Sequence, residues 1–156
     1  MIQLVRVDHR LVHGQVAFSW TKQLESNCIL IASDALMQDE LKMSVMRMAT
    51  PADVKLVMKS IEDSALSLNA GQTDKYKLFI LCESVKDVYE LAKRTKCIKE
   101  INLGGTKSAE NRKQISKAIH LSEEDISMIK ELHSMGIECN VQLVPNDVKT
   151  DVMKLL

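Results

Sequence analysis

Short β-branched or apolar runs alternate along this chain with longer segments of helical period, and this alternation restricts the fold more than any other feature. The runs cover residues 2–7, 28–32, 54–58, 77–82, 98–103, 118–121 and 137–144. Between them, Val16, Ala17, Trp20 and Leu24, then Met37, Leu41, Val45 and Met48, then Ile126, Ile129 and Leu132 recur at the spacing of one helix face. Ser60-x-x-Asp63, Ser84-x-x-Asp87 and Ser122-x-x-Asp125 each follow a strand run and open a helix. In that motif the serine oxygen accepts a backbone N–H that the first helical turn leaves without a partner. Thr50-Pro51 predicts the end of the second helical segment, because proline lacks the interior N–H. Gly136 fits the left-handed position just past the helix that Ser122 opens.

A continuous apolar run such as Leu78–Cys82 predicts a strand buried on both faces, and strands joined through helices lie parallel. The expectation is an open, doubly wound α/β domain spanning residues 1–156, with a mostly parallel sheet of about seven strands and helices on both faces. A length of 156 residues suits one such unit, and no Gly/Ser-rich or Pro-rich stretch divides it. Lys+Arg and Asp+Glu number 21 each, so the formal net charge is zero. That balance removes the bulk attraction on which nucleic-acid and anionic-membrane binders rely, and any anion site must be local. No apolar stretch approaches the ~20 residues of a membrane span, and the first residues lack the pattern of a secretory signal, which together predict a cytoplasmic protein. Cys28, Cys82, Cys97 and Cys139 form no C-x-x-C pair. They are expected to be reduced, with residues 28, 82 and 139 buried in strand runs as small hydrophobes.

In doubly wound sheets ligands bind beyond the carboxyl ends of the strands. Of the segments that follow the strand runs, one is dense in reactive groups: Asp8-His9-Arg10-Leu11-Val12-His13-Gly14-Gln15, with two of the four histidines. A helix beginning near His13 would set its imidazole at a helix N-terminus, where free N–H groups and the dipole favour an anion and disfavour an imidazolium. Phosphate is the natural guest. Arg10 offers a planar fork for two phosphoryl oxygens. Gly14 leaves the backbone open to a bulky group, Asp8 could orient Arg10 or a ring N–H, and Gln15 could donate to an oxygen. Gly104-Gly105 is expected to support the same rim as a tight turn lending N–H groups. His9 and His13 are four apart but lack a third ligand, so no metal is expected. His120 and His133 read as structural or surface residues. Leu11 and Val12 are adjacent aliphatics in this loop: the alternation of an extended chain would turn one inward and the other toward a docking partner, and the alternative is that both pin the loop to the sheet.

The string Arg6-Val7-Asp8-His9-Arg10-Leu11-Val12-His13-Gly14-Gln15-Val16 resembles the R-[IV]-D-x-R-L-x-H-G-Q-V signature of the EIIB subunits of the mannose/fructose/sorbose family of the bacterial sugar phosphotransferase system. The likeness extends over Ala32-Ser33-Asp34, Asp39-Glu40-Leu41, Arg47-Met48-Ala49, Asn102-Leu103-Gly104-Gly105, residues 113–118 and residues 142–147. Ala52 after Pro51 departs from the family's usual further proline or small residue without touching a candidate site residue.

The resemblance implies that His13 accepts a phosphoryl group, at Nδ1, from a phosphohistidine on an EIIA subunit or domain. It further implies that His13 passes the group to a sugar held by the membrane EIIC and EIID subunits, with the protein peripheral to that transporter. Arg10 then stabilises the phosphoryl group, Asp8, Gly14 and Gln15 complete the loop, and His9 occupies a variable position without a catalytic role. No cofactor is implied, since transfer between imidazoles needs mainly positioning and a positive field. The family tendency and the neutral charge also favour self-association. From the residues alone two other readings stay open: a regulatory module that binds a phosphorylated ligand or partner without accepting its phosphoryl group, and a histidine-dependent hydrolase.

Overall fold

The computed structural model describes all of residues 1–156. Five strands run parallel through the centre: β1 (Ile2–Asp8), β2 (Cys28–Ala32), β3 (Lys55–Lys59), β4 (Leu78–Cys82) and β5 (Glu100–Gly105). A short hairpin, β6 (Lys113–Ser116) and β7 (Ile119–Leu121), precedes β8 (Glu138–Val141), which lies parallel to β5. The two-residue β9 (Thr150–Asp151) closes the sheet as an antiparallel edge, giving the order β3-β2-β4-β1-β5-β8-β9.

Strand alternation divides the core. Ile29, Ile31, Phe79 and Leu81 face one side, where they meet Val16, Ala17 and Trp20 of the first helical segment and Met46 of α2 (Glu40–Ala49). Leu30, Ile80, Val5, Val7, Ile101 and Leu103 face the other, under α3 (Ile61–Asn69), α4 (Val85–Arg94) and α5 (Glu123–Ser134). The expected open, doubly wound sheet with helices on both faces is therefore present. The caps are present too: Ser60, Ser84 and Ser122 Oγ accept the N–H groups of Asp63, Asp87 and Asp125 at 3.0–3.1 Å. Only Ser122 completes the reciprocal box, with its own N–H donating to Asp125 Oδ2 at 3.0 Å. Thr50 ends α2, and Gly136 takes φ +84° beyond α5.

Three expectations need correction. Residues 118–121 do form a strand, but in the separate hairpin, because β1 and β8 already occupy both edges of β5. Thr106 anchors that hairpin, donating from its hydroxyl to the His120 carbonyl at 2.8 Å and from its N–H to the Ala118 carbonyl at 3.0 Å. The seventh strand is instead β9, too short for any periodicity to mark it. Finally, Leu11 and Val12 are both buried. Leu11 takes φ +57° in a turn closed by its N–H on the Asp8 carbonyl at 2.9 Å, which breaks the alternation of an extended chain. Both side chains then enter the core beneath the loop with Leu36 and Met46, and the Val12 N–H points at Met46 Sδ, 3.4 Å away. A left-handed leucine costs about 1–2 kcal/mol, a cost offset by burying two aliphatic side chains. Cys28, Cys82 and Cys139 are buried free thiols, and Cys97 is an exposed one.

Leu11→Ala is expected to destabilise the fold by about 2–5 kcal/mol, because the loop's anchor leaves a cavity. Urea unfolding checks it, and a variant as stable as the parent would show the loop held by other contacts.

Candidate functional site

β1 points Val5 and Val7 into one core and sends Arg6 and Asp8 to the opposite face, toward the first helical segment. Both charged residues are fully buried, with Arg6 Nη2 3.3 Å from Asp8 Oδ2. The guanidinium also donates to Asn102 Oδ1 at 2.7 Å and to the carbonyls of Gln142 and Leu143 at 3.0 and 3.1 Å. Trp20 covers it, its ring centroid 5.0 Å from Cζ and its Nε1–H bonded to the Leu143 carbonyl at 3.1 Å. Burial lowers Arg6 from its ordinary range against the pull of Asp8, and the guanidinium stays a cation.

Asp8 carries the site outward. Its Oδ2 receives His13 Nε2 at 2.9 Å, and its Oδ1 accepts the Arg10 backbone N–H at 3.1 Å and lies 3.5 Å from Arg10 Nε. Burial opposes the charge on Asp8. It is outweighed by the bonds from His13 and the Arg10 N–H, together with the charge of Arg6, so the carboxyl sits below its ordinary value. An ionised carboxylate only accepts, which fixes Nε2 as the protonated nitrogen of a neutral His13 and leaves the Nδ1 lone pair free. The ring is 17% exposed, whereas the Arg10 side chain is 48% exposed and free to reorient over it.

Residues 14–24 are helical, beginning at Gly14, with Ala17 N–H bonded to the His13 carbonyl at 2.8 Å. His13 thus stands at a helix N-terminus, as expected, ahead of the N–H groups of Gly14, Gln15 and Val16. Val16–Trp20 is a π-helical turn that runs into α1 (Thr21–Leu24), a widening associated with functional sites. Gly14 is exposed, and a Cβ added there would meet nothing within 4 Å beyond its chain neighbours. Gln15 is half-buried on the same first turn.

Gly104 and Gly105 are the last residues of β5 and not the expected tight turn, and they serve the rim through the space they leave. A Cβ on Gly104 would fall on the Arg6 guanidinium, and one on Gly105 would lie 3.4 Å from both Asp8 Oδ1 and His9 Nδ1. The Gly105 carbonyl accepts the His9 N–H at 3.1 Å. Arg6 and Asn102 stand in the family-like strings, but no pattern marks them as site residues. An arginine two before an aspartate on an alternating strand was the available signal, since period two puts the pair on one face. No group of three or more His, Cys, Asp or Glu side chains is placed to hold a metal ion.

Comparison with known proteins identifies the family. The profile of the family described as "PTS system sorbose subfamily IIB component" matches residues 2–156. The chain belongs to that family. The EIIB chain is 29% identical over 153 residues to the PTS system sorbose-specific EIIB component of Lacticaseibacillus casei, covering 98% of this chain and 93% of that protein. It is 30% identical over 159 residues to the PTS system mannose-specific EIIAB component of Escherichia coli (strain K12), covering 100% of this chain and 48% of that protein. The crystal structure of the IIBSor domain of the sorbose permease from Klebsiella pneumoniae superposes with a TM-score of 0.93 at 28% identity, covering 99% of this chain and 95% of that one. Phosphoryl transfer to a sugar during uptake is the role of EIIB components. No helix of this EIIB chain is long and apolar enough to cross a membrane.

Gly104→Ala is expected to displace the Arg6 guanidinium and with it the aspartate that orients His13. The His13 ring signals in NMR should shift, and stability should fall by about 1–3 kcal/mol from overpacking. Unchanged ring signals would mean that Arg6 has another place to go.

Proposed function

We propose that His13 is the phosphoryl acceptor of this EIIB component and that Nδ1 is the atom phosphorylated. The hydrogen bond from His13 Nε2 to Asp8 Oδ2, 2.9 Å long, carries this reading. It occupies one ring nitrogen with a proton and leaves the other as the ring's nucleophile.

In the forward step the Nδ1 lone pair attacks the phosphorus of a phosphohistidine on an EIIA domain. The new P–N bond forms as the donor's P–N bond breaks, and the donor imidazole keeps the electron pair. His13, now substituted on Nδ1 and protonated on Nε2, is a cation that Asp8 stabilises across the 2.9 Å contact. Arg10 swings onto the phosphoryl oxygens, and the first-turn N–H groups of the helix face the same charge. In the second step a sugar hydroxyl attacks the phosphorus at the EIIC and EIID subunits: the new P–O bond forms as the P–Nδ1 bond breaks, the lone pair returns to Nδ1, and the hydroxyl proton leaves to solvent. The mannose-specific EIIAB relative supports EIIA as the donor. Residues 1–156 act here as one unit docked at the membrane transporter.

Incubation with phosphorylated EIIA should add the mass of one phosphate to the parent chain and none to His13→Ala. The bond should be acid-labile and base-stable, as a phosphoramidate is. Label retained in His13→Ala would overturn the assignment, and EIIA binding without any transfer would make the chain a phosphoprotein-binding module instead.

Arg10→Ala should slow single-turnover transfer from EIIA by about 10²–10³ without lowering the melting temperature, because the side chain is half exposed. Arg10→Lys should recover only part of the rate, since an ammonium lacks the planar fork. Transfer at the parent rate in Arg10→Ala would remove Arg10 from the machinery.

A further inference from the structure

A second cavity, of about 400 Å³, lies on the face of the sheet away from His13, against the edge strand β3. Lys55, Val57 and Lys59 share one face of that strand by the two-residue period, and Val57 packs against the core under α3. Lys75 and Tyr76, from the loop before β4, complete the rim. The lining holds three lysines and no carboxylate. Each of the four other main clefts has at least one acid: Asp147; Glu83, Asp87 and Asp125; Glu25; and Glu25 with Asp53. In a chain of zero net charge this is a local concentration of one sign over a low-dielectric floor, an arrangement that focuses the field on a counter-ion.

None of the three ammonium groups has a carboxylate within 4.0 Å. Lys55 Nζ donates to Tyr76 Oη at 2.9 Å, and Lys55 and Lys75 Nζ each lie 5.2 Å from the centroid of the same tyrosine ring. Two ammonium groups thus lie against one tyrosine ring with no carboxylate to neutralise either. Tyr76 Oη accepts from Lys55 and keeps its own O–H to donate to a ligand oxygen. Beneath the cations, Leu30, Val57 and Leu78 make an apolar floor, with the hydroxyls of Ser67 and Thr73 at its side.

We propose that this cavity binds a sugar phosphate, the product class of the family's reaction, at a site separate from His13. Three lysines suit a phosphate monoester, which carries about −1.5 to −2 at pH 7, better than a singly charged carboxylate. The apolar floor and tyrosine ring take the C–H face of a sugar, and the side-wall hydroxyls take its hydroxyl groups. The choice of a sugar as the esterified body rests on the functional reading above; the phosphate chemistry rests on the cavity alone.

Calorimetric titration of the full chain with mannose 6-phosphate, adenosine 5′-monophosphate, inorganic phosphate and mannose tests this. Mannose 6-phosphate should bind saturably at one site and tighter than the other three, and binding should weaken as salt rises. The double variant Lys55→Gln/Lys75→Gln, whose altered side chains are exposed in the parent, should keep its melting temperature and lose about tenfold or more in affinity. His13→Ala should bind as the parent does, and the Val57 methyl signals should move on titration. No saturable binding, binding unchanged in the double variant, or binding lost in His13→Ala would each overturn the proposal, the last by assigning the phosphate to the His13 loop. Tighter binding of the nucleotide would overturn the sugar assignment. Loss of His13 labelling by EIIA with cavity binding intact would overturn only the functional reading.

Discussion

Everything around His13 depends on a buried ion pair, Arg6 with Asp8, two residues apart on one strand. Removing both charges from water costs several kcal/mol per ion, and mutual attraction offsets that only when the remaining donors and acceptors are satisfied. Here the other partners of the two Nη groups come from distant parts of the chain, while the buried Nε has none. Asn102 is supplied by β5, the carbonyls of Gln142 and Leu143 by the segment after β8, and an aromatic cover by Trp20 of the first helical segment. The pair therefore ties β1, β5, the 142–143 loop and the helix into one assembly. Asn102 extends the tie, since its amide also donates to the Gln142 carbonyl at 3.1 Å. Gly104 is glycine for the same reason: the guanidinium occupies the volume its side chain would need.

Local rules made much of this legible. Strand periodicity, serine caps, the proline stop and the glycine past α5 are short-range effects written in neighbouring residues, and they place the loop at residues 8–15 on the carboxyl edge of the sheet. His13 at the start of a helix follows from the same reasoning. The long-range terms were hidden. Which edges of β5 are free is a property of sheet order, so residues 118–121 read as a sheet strand although neither edge of β5 remained for them. Arg6 reads as an ordinary polar position on an alternating strand until Asn102, far along the chain, comes to meet it. Leu11 defied the alternation rule because one left-handed residue re-aims two side chains, and no local preference announces a left-handed leucine.

That left-handed turn also explains how the loop combines exposure with order. With Leu11 and Val12 both turned inward, the segment is pinned from below by the core that contains Leu36 and Met46. From within, it is pinned by Asp8, which accepts the Arg10 N–H. The reactive groups can then sit at the surface on a backbone that does not drift, which suits in-line transfer, where positioning supplies much of the acceleration. Arg10 is the exception, anchored by its backbone while its side chain stays half exposed. A fixed imidazole beside a half-exposed cation suits the role proposed for His13, receiving a phosphoryl group from one partner and releasing it to another.

The buried arginine also resolves an electrostatic difficulty. In the proposed transfer Asp8 orients His13 and stabilises its cationic form, yet it would repel the phosphoryl dianion on the far side of the ring. With a separation of about 6 Å and an effective dielectric near 20, one unit of that repulsion is roughly 3 kcal/mol, and a dianion doubles it. Such a term would slow every transfer if the aspartate acted alone. Arg6, 3.3 Å behind Asp8 and shut away from solvent, cancels most of the carboxylate's distant field while leaving its near contact with Nε2 intact. At the range of the phosphoryl group the Arg6–Asp8 pair is close to neutral, so Arg10 and the helix N-terminus set the sign of the field there. A carboxylate can therefore serve as orienting group in an anion site because its charge is compensated from behind, by a residue that never meets the phosphoryl group.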